Sequence, residues 1–177
     1  MQLAISALGQ KSDEFVVEIL SMISLCHCSV LELRTANLTR MTSIYLLVDG
    51  NWNHVAKLEG MLETVKTRFQ MQISLLRPND DEAGRKPLTG VPYTLETISV
   101  EKKDLLFAVT SFLTERGILV EEVAASRHND GVFGNPIFSS KFLLLVPPHV
   151  GILSLREEFL DFCDSLNIDA ILEPIKR

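Results

Sequence analysis

Residues 3–34, LAISALGQKSDEFVVEILSMISLCHCSVLELR, align without a gap with residues 93–124, YTLETISVEKKDLLFAVTSFLTERGILVEEVA. The two stretches share their apolar positions, including Ile5 with Leu95, Phe15 with Leu105, Ile19 with Val109, Ile23 with Leu113 and Val30 with Val120. Each half of the chain reads strand, helix, strand, strand, helix, strand. Because crossovers of one hand place both helices on the same face, we predict an α+β fold with two four-stranded antiparallel sheets, each carrying two helices on one face.

A polar segment separates the two halves. Residues 78–91 contain two prolines together with Asn, Asp, Glu, Arg and Lys side chains, and offer little to bury. We therefore predict a first domain over residues 1–77, a linker over residues 78–91 and a second domain over residues 92–177.

The charge of the chain argues against nucleic acid as a direct partner. The 177 residues carry a formal net charge of −6. Residues 1–77 hold seven basic and seven acidic side chains, whereas residues 92–177 hold eight basic and thirteen acidic ones, a net charge of −5. Neither half offers the basic face that neutralises phosphates, so we expect no direct binding to nucleic acid.

Composition also predicts the compartment. The apolar stretches are too short to span a bilayer, and the N-terminus has no signal-peptide pattern. Three cysteines make no disulfide framework. We expect a cytoplasmic protein that does not contact membranes. Edge strands and uncovered sheet faces favour a homodimer or a stable complex with a protein partner.

The sequence contains no recognisable catalytic pattern. The stretch Cys26-His27-Cys28 suggests a metal clip, but zinc needs about four ligands and no second pair is near in sequence. We favour packing of small cysteines where a helix turns back onto its sheet. The lone tryptophan, Trp52, is expected to pack at the start of the second helix, with a contact to a partner as the alternative. We predict no catalytic residue, no cofactor and no metal site.

Three short stretches carry a resemblance to a known family: Ala7-Leu8-Gly9, Cys26-His27-Cys28-Ser29-Val30 and Gly50-Asn51-Trp52-Asn53. Together with the repeated plan, they resemble the tandem ACT-domain transcriptional repressors of the glycine cleavage system. The resemblance implies two ferredoxin-like ACT domains, each βαββαβ. It also implies a regulator of amino-acid metabolism that responds to glycine and represses transcription by binding a LysR-type transcription regulator rather than DNA.

The resemblance also indicates where a small amino acid would bind. Ligand-binding ACT domains usually have Asp-Arg-Pro-Gly in the turn after the first strand, where this chain has Lys11-Ser12-Asp13-Glu14 and, in its second half, Glu101-Lys102-Lys103-Asp104. The predicted ligand-binding residues are Gly9, Gln10, Lys11, Glu14, Lys103 and Asp104. Because Asp13 and Glu14 place negative charge where a carboxylate would bind, we expect glycine affinity no better than millimolar.

Two alternatives to the repressor hypothesis stay open. The first is an orphan ACT metabolite sensor that regulates an enzyme instead of a transcription regulator. The second is a small enzyme built on the same scaffold. Fold alone does not decide among these functions.

Overall fold

The computed structural model describes residues 1–10, 14–78, 89–100, 104–129 and 136–175. The chain divides into two compact units, Met1–Arg85 and Lys86–Arg177. The segment from 79 to 88, which holds most of the predicted linker, lies outside the described residues. We describe each unit separately.

Both units have the predicted strand-helix-strand-strand-helix-strand order, which confirms the α+β fold. The elements of the first unit are β1 (Gln2–Gln10), α1 (Glu14–Leu25), β2 (Ser29–Leu38), β3 (Met41–Asp49), α2 (Trp52–Arg68) and β4 (Gln72–Leu76). Those of the second are β5 (Val91–Val100), α3 (Leu105–Glu115), β6 (Leu119–Asn129), β7 (Pro136–Val146), α4 (Ile152–Leu166) and β8 (Asp169–Pro174).

Each sheet is antiparallel, with strand orders β2-β3-β1-β4 and β6-β7-β5-β8. The most apolar strand of the first half, β3, is central in its sheet, as its continuous run of apolar residues predicts. One face of each sheet packs against the helices and forms the core. The first core contains Leu3, Ile5, Phe15, Ile19, Ile44, Leu46, Leu58 and Leu62, and the second contains Leu95, Val109, Leu113, Phe142, Leu144 and Phe159.

The repeat extends to irregular features of the backbone. The pairing of β2 with β3 slips by one residue between Val30 and Glu32, and the pairing of β6 with β7 slips between Val120 and Glu122. These bulges fall at the same point of the two aligned stretches. A bulge bends its strand and increases the local twist, so both edge strands are shaped in the same way.

The four helices of the described residues end in one backbone motif. A residue with left-handed backbone follows each helix, with φ of 55° at His27, 49° at Gln70, 71° at Gly117 and 47° at Asn167. The next amide donates to a carbonyl in the last turn: Cys28 N to Ile23 O, Met71 N to Lys66 O, Ile118 N to Leu113 O and Ile168 N to Cys163 O, at 3.0 to 3.1 Å. This is the Schellman motif, which turns each chain back toward its sheet. His27 and Gly117 are equivalent in the repeat.

We expect His27→Gly to raise the free energy of unfolding of the first unit by about 1 kcal/mol, because glycine adopts the left-handed conformation without steric cost. The converse variant, Gly117→Ala, should lower the free energy of unfolding of the second unit by a similar amount. Denaturant unfolding followed by Trp52 fluorescence and by circular dichroism measures both. A loss of stability in His27→Gly would mean that the ring contact with His54, 5.6 Å between centroids, outweighs the backbone strain.

The start of α2 departs from one prediction. Asn51 caps the helix, with its Oδ1 accepting a hydrogen bond from His54 N at 2.8 Å. Trp52, predicted to pack there, is 65% exposed. Helical side chains lean toward the N-terminus, so a side chain at the first position points past the end of the helix and away from the core. Among the described residues, no helix is long and apolar enough to cross a membrane.

Candidate functional site

The predicted ligand-binding residues lie at the strand-to-helix turn of each unit. Gly9 and Gln10 end β1, and Glu14 is the exposed first residue of α1. Asp104 precedes α3 with φ of 65°, and its side chain makes no capping hydrogen bond. Lys11 and Lys103 lie outside the described residues. The binding of a ligand at either turn therefore stays a prediction.

Gly9 has a packing role in the first unit. A Cβ atom added at Gly9 would lie 3.1 Å from Met71 Cβ and 3.8 Å from the Phe15 ring. Such a contact with Met71 is tighter than ordinary packing allows. The absence of a side chain at Gly9 thus lets the end of β1 approach the start of β4 closely.

Ser99 occupies the equivalent position in the second unit. Its side chain is buried, and its Oγ has no hydrogen-bond partner among the residues that the structure describes. Two residues earlier on the same face of β5, Thr97 Oγ1 lies 2.6 Å from Ser140 Oγ on β7, and this pair is buried and hydrogen-bonded. An unpartnered hydroxyl in a core costs free energy, because it has lost its bonds to water.

Removing the two hydroxyls should have opposite effects on the second unit. We expect Ser99→Ala to raise its free energy of unfolding by about 1 kcal/mol, because an unpartnered buried hydroxyl is lost. Ser140→Ala should lower it by about 1 to 2 kcal/mol, because Thr97 Oγ1 loses its partner. Denaturant titrations of both variants test the prediction. A destabilised Ser99→Ala protein would contradict the unpartnered state of this hydroxyl.

The Cys-His-Cys stretch lies in the turn that ends α1. Cys26 is buried, with its Sγ 3.4 Å from Met61 Sδ. Cys28 lies under Gly50, where an added Cβ would be 2.9 Å from its Sγ, and His27 is exposed. No three His, Cys, Asp or Glu side chains of the described ranges are grouped to hold a metal ion. Packing accounts for both cysteines.

The thiols are also poorly suited to nucleophilic chemistry. Burial, with a smaller contribution from Asp164, raises the pKa of Cys163 to about 11. Burial likewise raises the pKa of Cys28, and the nearby Cys26 and Asp49 act in the same direction. Since the thiolate is the reactive form, neither Cys28 nor Cys163 is activated as a nucleophile at neutral pH.

The outer face of the first sheet, away from the helices, contains a groove of about 610 Å³. Its floor is formed by the small side chains of Ala4 and Ser6 on β1. Ala4 pairs with Leu47 and Leu76 on the neighbouring strands, and Ser6 pairs with Tyr45. Larger side chains therefore stand on both sides of Ala4, whereas Ser6 has Tyr45 on one side and the small Ser74 on the other. This difference in height creates the groove. We call it the sheet-face groove.

The sheet-face groove is accessible and largely apolar. Tyr45 is 58% exposed and Leu76 is 70% exposed. Glu32 and Arg34, on the edge strand β2, lie in register beside Leu47 and Tyr45 and complete one rim. Exposed apolar side chains around a concave surface are typical of a place where a protein or an apolar ligand binds.

The second sheet is built differently at the corresponding positions. Glu96 and Lys141 replace Ser6 and Tyr45 as the cross-strand pair, and Lys141 Nζ donates to Glu96 Oε1 at 2.6 Å. An ion pair thus spans the centre of this outer face. The two units share a backbone plan but present different outer surfaces.

The sheet-face groove has little signal in the sequence. Its only sequence signal is the alternation in β1, where Ala4 and Ser6 are interleaved with the core residues Leu3, Ile5 and Ala7. That alternation shows which residues share a face, but not which side chains stand beside them on other strands.

Comparison with known proteins places the first unit in a family. Residues 1–75 match the family model described as the ACT domain. No curated protein matches the chain. A crystal structure of a "putative glycine cleavage system transcriptional repressor" matches with a TM-score of 0.73 and 18% identity, over 99% of this chain and 98% of that one.

A second solved structure, of an unknown protein from Galdieria sulphuraria, matches with a TM-score of 0.78 and 18% identity, again over 99% of this chain and 98% of that one. At this level of identity the two likenesses establish the fold alone. The chain therefore contains an ACT domain over residues 1–75, followed by a second unit with the same βαββαβ fold.

Proposed function

We propose that this chain is a cytoplasmic, non-catalytic regulatory protein of amino-acid metabolism, specifically of glycine. It represses transcription by binding a LysR-type transcription regulator, works as a homodimer and does not bind DNA itself. The fold likeness to the repressor structure over nearly the whole chain supports this proposal. So does the ACT domain over residues 1–75.

The observation that carries the proposal is the sheet-face groove. Its exposed tyrosine, Tyr45, is the kind of side chain that anchors a protein interface when it enters a complementary surface, and Leu76 adds exposed apolar area beside it. Its floor of Ala4 and Ser6 accepts an apolar side chain from the partner. The net charge of −6 gives the chain no general attraction to DNA phosphates, so contact with the genome runs through the partner.

The proposed function does not require that this chain bind glycine tightly. The negative charge of Glu14 at the start of α1 opposes a carboxylate there, because charge at a helix N-terminus acts on any group bound next to it. Calorimetry with glycine should therefore give no saturable heat below millimolar concentrations.

Deletion of the gene tests the proposal in the cell. We expect transcription of the glycine cleavage genes to rise on deletion and to return to the repressed level when the intact gene is restored. The rise should also require the LysR-type regulator, so a strain lacking both should show none. Unchanged transcription in the single deletion would contradict the proposal.

The same groove favours one alternative, the orphan metabolite sensor that regulates an enzyme. Its volume of about 610 Å³ falls within the range of small-molecule sites. Thermal unfolding with a panel of apolar amino acids distinguishes the two functions. A ligand that raises the melting temperature of the intact chain, and loses that effect in Ser6→Glu/Tyr45→Lys, would favour the sensor.

A further inference from the structure

We propose that the groove between α3 and α4 binds an arginine-bearing segment of a partner protein. This interhelical groove has a volume of about 490 Å³ and belongs to the second unit. It is lined by Ala108, Ser111, Phe112, Glu115, Arg116, Glu158, Asp161 and Phe162. The inference goes beyond the proposed function, because it concerns another surface and holds for any partner with this chemistry.

Aromatic rings form the floor of the interhelical groove. The ring centroids of Phe112 and Phe162 are 4.6 Å apart, and Phe159 lies 5.4 Å from Phe112 on the core side. The short side chains of Ser111 and of Ala108, which lies one turn before Phe112 on α3, line the groove beside these rings. Phe112 itself is only 6% exposed, so the half-buried Phe162 presents most of the accessible ring surface. The faces of aromatic rings attract cations, guanidinium groups in particular.

The chain already places one guanidinium at this floor. Arg116 Cζ lies 3.6 Å from the centre of the Phe112 ring. Its Nε donates to Glu158 Oε2 at 2.8 Å, and its Nη1 donates to the Phe112 carbonyl at 3.0 Å. The bond from Arg116 holds the pKa of Glu158 below its usual value, so this carboxylate is ionised. Stacking on phenylalanine combined with pairing to a carboxylate is therefore a mode of binding that this groove supports.

Two further carboxylates remain available on the walls. Glu115 on α3 and Asp161 on α4 both line the groove, and within the described ranges neither has a cationic partner. Three carboxylates and one guanidinium leave the lining with a net charge of −2. The negative charge of this surface favours a cationic group, and its aromatic floor favours a planar one.

The first unit shows that the fold does not require these charges. The left-handed residues after the helices align the two units, because His27 corresponds to Gly117 and Gln70 corresponds to Asn167. In this alignment Cys26 corresponds to Arg116, and Met61 corresponds to Glu158. Their sulfur atoms make the same interhelical contact at 3.4 Å without charge. The remaining wall positions hold uncharged residues as well: Leu25 stands for Glu115 and Thr64 for Asp161.

Arginine fits the groove better than lysine does. A guanidinium is planar, stacks on aromatic faces and pairs with a carboxylate through two N–H groups, whereas an ammonium is a compact and strongly hydrated point charge. A partner segment with several arginines can place more than one guanidinium group along the interhelical groove at the same time. Charge complementarity and the stacking of Arg116 on Phe112 thus point to an arginine-bearing protein segment.

Titration of the intact chain with hexa-arginine peptide tests the inference by amide chemical shifts. We expect saturable shifts confined to α3 and α4. The variant Glu115→Leu/Asp161→Thr, which introduces the residues of the first unit, should weaken binding by about tenfold. The control Glu157→Gln/Asp164→Asn removes two charges from exposed positions of α4 outside the groove, and should change the affinity by less than about twofold.

Two comparison probes separate this site from general charge attraction. Hexa-lysine should bind more weakly than hexa-arginine, and spermidine should bind more weakly still, because neither stacks on an aromatic ring as a guanidinium does. Equal binding of the three probes, equal losses in the two double variants, or shifts spread over both units would each overturn the inference. None of these outcomes depends on the LysR-type regulator, so the proposed function is tested separately.

Discussion

Gly9→Val is expected to destabilise the first unit by about 3 kcal/mol, because overpacking of a closed core forces side chains and backbone apart. A single Cβ at this position would already lie 3.1 Å from Met71 Cβ, and valine adds two methyl groups beyond it. Met71 is itself only 4% exposed and has little room to move. Trp52 is the chain's one tryptophan and lies in the first unit, so its fluorescence during denaturant unfolding measures this effect.

Leu8→Val is the matched control for Gly9→Val. Leu8 is the neighbouring residue of β1, points to the outer face and is 38% exposed, so a β-branched side chain there meets no closed core. We expect a loss below about 1 kcal/mol in this control. Equal stability of Gly9→Val and the unmodified protein would contradict the packing role of Gly9, and would favour a role for this glycine in binding a ligand at the turn.

The variant Ser6→Glu/Tyr45→Lys is expected to weaken binding to the LysR-type regulator by at least about tenfold. It places in the first sheet the cross-strand pair that the second sheet has as Glu96 and Lys141. The ion pair fills the sheet-face groove and replaces an exposed aromatic anchor. Because the second sheet has this pair at the same positions, the fold should be kept, and circular dichroism checks that it is.

The reverse exchange, Glu96→Ser/Lys141→Tyr, is the control for the sheet-face groove. It changes the same two positions in the other unit and leaves the groove of the first unit as it is. We expect the affinity for the regulator to change by less than about twofold. A loss of affinity in the control, or none in Ser6→Glu/Tyr45→Lys, would place the partner contact elsewhere on the chain.

The fold could be predicted from the sequence because its signal is local and repeated. Apolar periodicity marks each strand and helix, and the alignment of residues 3–34 with 93–124 supplies a second copy of the evidence. The same alignment places His27 opposite Gly117. Because glycine favours the left-handed conformation, Gly117 indicates that conformation at both positions.

The candidate surfaces could not be predicted because they depend on the pairing of strands and helices that are distant in sequence. The sheet-face groove exists because Ala4 is in register with Leu47 and Leu76. The interhelical groove likewise depends on the approach of Arg116 to Glu158 across two helices. Neither pairing has a signal in local periodicity. The unpartnered hydroxyl of Ser99 was missed for the same reason, since burial of one polar atom depends on the packing around it.

In the proposed function, this chain regulates by binding a protein and not by binding DNA. Calorimetric titration of the purified chain into the LysR-type regulator of the same organism tests it most directly, with duplex DNA from the glycine cleavage promoter as the second titrant at about 0.15 M salt. We predict saturable binding to the regulator and no binding to DNA alone, as the net charge of −6 implies. Salt-sensitive binding to DNA without any binding to the regulator would contradict the account.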